Sequence, residues 1–176
     1  LNIEKLIWYL VIPIWTLVIV GTLFFLNTSS AQPFDPKGVL YSFSKDLNFD
    51  DEFTHIIETH IQSHTRNLVV HFDKSPACLC QLASSKHVSS VKYLAEKRKK
   101  RNIEINLEKS STLSKMIPSV PSIAVFSDDG KLTYLGPYSR GIGCISGNGT
   151  VEPFIKQTLS IGAVINLDSD GCYCAT

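Results

Sequence analysis

Five cysteines carry the most reactive chemistry in this 176-residue chain, and four of them fall into two Cys-X-Cys pairs. Cys78 and Cys80 follow the apolar run Leu68-Val69-Val70-His71-Phe72 and the connector Asp73-Lys74-Ser75-Pro76-Ala77. Cys172 and Cys174 close the tail Asp168-Ser169-Asp170-Gly171-Cys172-Tyr173-Cys174, and Cys144 stands alone in a glycine-rich stretch. A thiolate is both the nucleophile of disulfide exchange and a ligand for soft metals. A buried strand that runs into a thiol-bearing helix start sets those thiols among unpaired N–H groups, at the positive end of the helix dipole. Cys78, just ahead of the helix, is the candidate nucleophile, and Cys80, in the first turn, the resolving thiol. The odd cysteine count leaves at least one thiol without an internal partner in a fully oxidised monomer.

A disulfide between Cys78 and Cys80 would close a smaller ring than a Cys-X-X-Cys pair. Strain of that kind eases reduction, so an oxidant or isomerase-like poise is expected. The tail looks flexible. Its pair Cys172 and Cys174 is open to three readings: a dithiol that shuttles to the main pair, a disulfide of its own, or an inert end. Metal binding is the rival class, with Cys78, Cys80 and Cys144 as a three-sulfur Cu(I) site. His71 reads as a core histidine. His55, His60 and His64 read as a solvated helix face, although His60 and His64 share that face. The glycine-rich loop 136–149 lacks the Lys-Ser/Thr of a phosphate-binding loop, and no paired carboxylates or Ser/His/Asp set stands out. No metal site and no organic cofactor are expected.

The elements that would position these residues follow from periodicity. Val39 to Phe43 reads as a short first strand. Asp50 reads as a helix cap, with Phe53, Ile56, Ile57 and Ile61 at helical spacing to about His64. Leu68 to Phe72 fits a buried central strand. From Cys80 to Arg101 a helical stripe runs through Leu82, Ala83, Val88, Val91, Leu94 and Ala95, and Ile103, Ile105 and Leu107 alternate as a strand. Ser110 to Met116 reads as a short helix. Ile123–Ser127 and Leu132–Leu135 flank the turn signal Asp128-Asp129-Gly130. Thr150 caps a last helix to about Ile161, with Pro153 in its first turn. The order is that of an α/β fold: a mixed central sheet flanked by helices.

A net charge of +1 argues against nucleic acid as the main partner. The basic cluster Lys97-Arg98-Lys99-Lys100-Arg101 reads as a helix C-terminus that complements the dipole. Residues 6–26 form an uncharged apolar run of about the length that spans a bilayer, in which Pro13 is tolerable. The run is long for a signal peptide, so an uncleaved transmembrane anchor is expected, with Ser29-Ser30-Ala31 as the cleavage alternative. Lys5 precedes the run and no cation follows it until Lys37, which puts residues 1–5 in the cytoplasm and the domain outside. The expected division is then 1–5 cytoplasmic, 6–26 anchor, 27–38 linker, 39–162 domain and 163–176 Cys-containing tail. Five cysteines fit an oxidising compartment.

From Val39 to Ile161 the chain resembles the thioredoxin superfamily, and in particular bacterial membrane-anchored thioredoxin-like proteins with a Cys-X-Cys motif. Leu68 to Cys80 resembles that family's strand, loop and active-site helix start; Val120-Pro121-Ser122 resembles its cis-proline segment; Phe126 to Lys131 resembles its hairpin. The spacing departs from the usual Cys-X-X-Cys, and Ala77 stands where an aromatic is usual. The resemblance implies a cis Pro121 facing the pair and Val120 presenting its backbone to an extended substrate. It also implies a loop after Leu135 that returns toward Cys78, where Cys144 is either a third thiol near the pair or a free or tail-paired cysteine with no role. The implied activity is thiol–disulfide exchange with a redox partner protein or thiol substrate at the periplasmic face of the bacterial inner membrane. Copper delivery shares this fold in other families, but it usually takes wider Cys spacing and a later His, and none follows His87. A non-catalytic thioredoxin-like interaction module is the third reading.

Overall fold

The computed structural model describes residues 3–28, 32–141, 149–157 and 162–176. The chain divides into two compact units, Leu1–Ala31 and Gln32–Thr176. The first is a single helix, α1 (Ile3–Thr28), that contains Pro13. The hydroxyls of Thr16 and Thr22 donate to the carbonyls of Ile12 and Val18, which keeps those polar groups satisfied within the helix. Among the described residues, no helix is long and apolar enough to cross a membrane.

The second unit runs β1 (Gln32–Pro33), α2 (Val39–Phe43), α3 (Phe49–Ile61), β2 (Leu68–Asp73), α4 (Leu79–Lys97), β3 (Arg101–Asn106), α5 (Leu113–Met116), β4 (Ser119–Val120), β5 (Ser122–Phe126), β6 (Leu132–Pro137), α6 (Glu152–Ile155), β7 (Val164–Ile165), β8 (Asp170–Gly171) and β9 (Cys174–Ala175). The main sheet has the order β3-β2-β5-β6-β7, with β3 and β7 parallel to their neighbours and β5 antiparallel to both of its own. It is the mixed α/β architecture that the periodicity predicts.

β2 is buried on both faces because both faces are covered. Leu68, Val70 and Phe72 join the core beneath α2, α3 and α5, whereas Val69 points to the second core, beneath α4 and α6. β5 divides the same way, with Ala124 and Phe126 on one side and Ile123 and Val125 on the other. That is the period-two alternation of a pleated strand. Phe53 of α3 lies at the centre of the first core, with its ring stacked 5.7 Å from Phe49 and set edge-on 6.4 Å from Phe72. The β5–β6 turn at Asp128-Asp129-Gly130 forms as expected, with Gly130 at φ +89.

Several boundaries differ from the sequence-based expectation. Val39 to Phe43 is a helical turn, not a strand; Asp35 accepts the Val39 and Tyr41 N–H groups at 2.8 and 2.9 Å, which nucleates a helix. β3 is therefore one edge of the main sheet, with β7 at the other. The expected linker ends early, since Gln32–Pro33 pairs with β8 and Phe34 is fully buried. The last helix is one turn, Glu152–Ile155, and residues 158–161 lie outside the described residues. In the basic cluster, only Lys97 lies in the last helical turn. Lys100 is buried, its ammonium donating to the Phe126 carbonyl at 2.8 Å, and burial lowers its pKa. Leu82, expected in the apolar stripe of α4, is 60% exposed.

Replacing Phe53 with Ala removes a fully buried ring that both neighbouring aromatics pack against, and should cost about 3–5 kcal/mol. Urea denaturation of the chain should show the midpoint fall with an unchanged slope.

Candidate thiol site

α4 starts at Cys78 because of local capping. Cys78 is the N-cap, its backbone extended at φ −81 and ψ 166, and it forms a capping box with Gln81. Its N–H donates to Gln81 Oε1 at 3.4 Å, and Gln81 Nε2 donates to the Lys74 carbonyl at 3.3 Å, tying the connector to the first turn. The Ser75–Pro76 bond within that connector is cis. Cys78 and Cys80 thus occupy the N-cap and second helical positions, as the sequence implies.

The expected bond between them does not form. Cys78 is joined to Cys174 and Cys80 to Cys172, with Cα separations of 6.6 and 5.3 Å. Cys78 is the extended N-cap and Cys80 the second helical residue, and each sulfur is taken by a different tail cysteine. The tail crosses the helix start in the opposite direction, which brings residue 174 to 78 and residue 172 to 80. The small-ring argument for an oxidising poise therefore does not apply to this arrangement.

The tail is a packed part of the second unit, not the flexible end the sequence suggested. β7 extends the main sheet beside β6, β8 pairs with β1, and β9 pairs with β4. The Phe34 N–H donates to the Ser169 carbonyl at 2.8 Å, the Gly141 N–H to Asp170 at 2.7 Å, and Lys74 Nζ to Ala175 at 3.0 Å. Tyr173 is buried, its ring edge-on to Phe34 at 5.4 Å, and its hydroxyl donates to the Ser139 carbonyl at 2.7 Å. The ring folds over Gly171, where an added Cβ would lie 2.6 Å from the Tyr173 hydroxyl, so only glycine fits.

The Val120–Pro121 bond is cis, and both residues are buried. Val120 is the register partner of Cys174. One strand residue is thus paired through its main chain to the cysteine that Cys78 holds through sulfur. Beyond Leu135, Gly141 bridges to Gly171 of the tail. Cys144 lies outside the described residues. Among the described residues, no three His, Cys, Asp or Glu side chains are placed to hold a metal ion. His55, His60 and His64 are exposed on or beside α3.

Beside the motif, His71, Asp73, Leu82, Glu104, Pro121 and Tyr138 line a cleft of about 250 Å³. His71 is a core histidine, as expected, but one with a defined tautomer. Asn102 Nδ2 donates to the Lys92 carbonyl at 3.1 Å, which turns its Oδ1 to accept from His71 Nε2–H at 2.9 Å. Nδ1 is then left to accept the Tyr138 hydroxyl. Burial lowers the His71 pKa to about 4, outweighing the Asn102 hydrogen bond. Burial also pushes the Tyr138 phenol well above its ordinary value and raises the Asp73 carboxyl. Sequence reading missed Tyr138 and Asn102. It missed the pair of buried His87 with half-buried Glu152 too, at 2.9 Å, since partners that far apart in sequence leave no local pattern.

Fold and site together define a mixed α/β domain in which a Cys-X-Cys helix start is cross-linked to a Cys-X-Cys tail. The chain belongs to the family described as Domain of unknown function (DUF6436), which it matches over residues 47–176. No curated protein and no solved structure matches it.

Two outcomes follow from this geometry. The His71 pKa sits near 4 in the folded chain against 6.5 for the free group, so the unfolded chain binds the extra proton between those values. Stability should be whole above pH 6.5 and decline as the pH falls toward 4, by up to about 1.4 kcal/mol per pH unit. His71→Gln should flatten that part of a urea stability profile relative to wild type. The two disulfides, with sequence separations of 96 and 92, close nearly the same loop. Breaking one should therefore cost only about 2 kcal/mol, whereas breaking both should add roughly 4–5 kcal/mol more. Denaturation of Cys174→Ser against the fully reduced chain measures this non-additivity.

Proposed function

We propose that this chain is a membrane-anchored thiol–disulfide exchange protein with a thioredoxin-like domain, working on protein or small-thiol partners at the periplasmic face of a bacterial inner membrane. The observation that carries the reading is the convergence at one place of Cys78, Cys174 and the cis Val120–Pro121 bond. The order of parts supports it: a parallel β2–α4–β3 unit with the cysteines at the start of its helix, then the cis-proline and an antiparallel hairpin. The apolar run of residues 6–26 supports the anchor, and two disulfides suit an oxidising compartment.

The chemistry balances without a cofactor. A partner thiolate attacks Sγ of Cys78, forms a mixed disulfide and displaces Cys174 as a thiolate. A second partner thiolate attacks the partner's own sulfur and releases the Cys78 thiolate. The partner leaves as a disulfide, and Cys78 and Cys174 have gained two electrons and, once both are protonated, two protons. The helix N-terminus at Cys78 stabilises the thiolate that leaves.

A second reading has one observation in its favour: Cys78 and Cys80 both bond to a tail that is itself packed into the fold. On that reading the disulfides are structural staples and the domain is an interaction module.

Alkylation and mass mapping across graded glutathione buffers separates the two. Exchange requires Cys78 and Cys174 to titrate within the buffer range, and Cys78→Ser to abolish turnover of a dithiol substrate. If both disulfides stay oxidised throughout that range, the exchange reading falls and the staple reading replaces it; if Cys78→Ser keeps full activity, Cys78 is not the nucleophile.

A further inference from the structure

The tail lies in a groove with two main-chain walls. One wall is β1, whose Gln32 and Pro33 pair with Gly171 and Asp170; the other is β4, whose Ser119 and Val120 pair with Ala175 and Cys174. Between them the Tyr173 ring sits against Phe34, its hydroxyl on the Ser139 carbonyl. Most of these contacts need only an extended backbone. Four need particular side chains: the Cys174 sulfur bonded to Cys78, the Cys172 sulfur bonded to Cys80, the aromatic ring of Tyr173 directly before Cys174, and Gly171 two residues before that ring. Two short strand pairings are a weak hold by themselves, since strands of two residues make few ladder hydrogen bonds. The disulfides keep the segment in place.

We infer that this groove is a docking site for an extended, cysteine-bearing segment with an aromatic residue directly before the reacting cysteine, and that residues 170–175 are its tethered occupant. The inference rests on the exchange reading and adds to it a partner chemistry. A tethered segment has an effective concentration that a free one rarely matches, so a partner enters only after the tail is released. Release takes a dithiol reductant: two equivalents of dithiol become two disulfides as Cys78–Cys174 and Cys80–Cys172 become four thiols. The freed edges of β1 and β4 can then pair with an incoming strand, which is how exposed sheet edges bind extended peptides. The Cys78 thiolate attacks the partner's oxidised cysteine, forms the new mixed disulfide and expels that cysteine's former partner as a thiolate.

The probe is a synthetic peptide of residues 168–176 with Cys172→Ser and its remaining cysteine activated as the thionitrobenzoate disulfide. The host is the full chain carrying Cys172→Ser, Tyr173→Ala and Cys174→Ser, which removes the tail's two sulfurs and its ring from the groove. Attack by Cys78 links the peptide and releases thionitrobenzoate, read by absorbance, with the linked residue read by mass mapping. The peptide with its tyrosine should react at Cys78 about tenfold faster than the same peptide with Tyr→Ala, as expected for a buried aromatic anchor. Equal rates for the two peptides overturn the inference and leave the exchange reading standing. A Cys78 that reacts with neither peptide nor with a small activated disulfide overturns both. The same ratio is read in the fully reduced wild-type chain at its Cys78 adduct, so the answer does not hang on how the triple variant folds.

Discussion

The direction in which the tail crosses the start of α4 governs the rest of the site. β9 runs antiparallel to β4, and β8 antiparallel to β1, so two sheet edges set the direction of the tail and the disulfides hold it there. Main-chain pairing then determines which cysteine faces which. Val120 brings Cys174 to the N-cap, and residue 172, two places earlier, falls at Cys80 one half-turn into the helix. Cys174 opens β9 and Cys172 lies in the bend before it, whereas Cys78 is the extended N-cap and Cys80 a helical residue. The two Cys-X-Cys pairs therefore present different geometries, and each sulfur finds its partner on the other segment.

The sheet supplies the rigid frame for this. β2 carries its side chains into both cores and ends at the connector that leads to Cys78, and β5 starts immediately after the cis Val120–Pro121 bond. His71 lies on that frame, one residue from the strand's last core aromatic, and its ring is fixed by Asn102 on one side and Tyr138 on the other. A neutral, hydrogen-bonded imidazole is the state that burial favours, because the charged form would lose its hydration. Tyr138 in turn belongs to the segment that leads on to Gly141 and its bridge to the tail. Packing of the cleft and placement of the tail thus share one piece of chain.

The central elements were legible because their signals are local. The continuous run at Leu68, the alternation at Ile103 and Ile105 and the Asp-Asp-Gly turn each carry their own period or turn chemistry, and each forms as read. The helix start at Cys78 was legible for the same reason. What the sequence hid is non-local. Val39–Phe43 has the composition of a strand, and becomes a helix because Asp35 caps it. The tail reads as polar and flexible; its order comes from β1, β4 and β6, edges that only the folded chain brings together. The pairing of the cysteines depends on that tail placement, so no spacing rule could deliver it.

This non-locality bears on the chemistry proposed for the site. A disulfide within a Cys-X-Cys motif would be a purely local bond, and its reduction would leave the surrounding fold as it was. Here each bond joins the motif to a segment more than ninety positions away. The redox state of Cys78 is thereby coupled to the placement of a strand. Whatever reduces Cys78–Cys174 loosens β9 from β4, and whatever strengthens the β9–β4 pairing holds the two sulfurs in contact and favours the oxidised state. The coupling is reciprocal, because the same free energy links the bond to the strand from either side. A partner that competes for the β4 edge must therefore also make the disulfide easier to reduce.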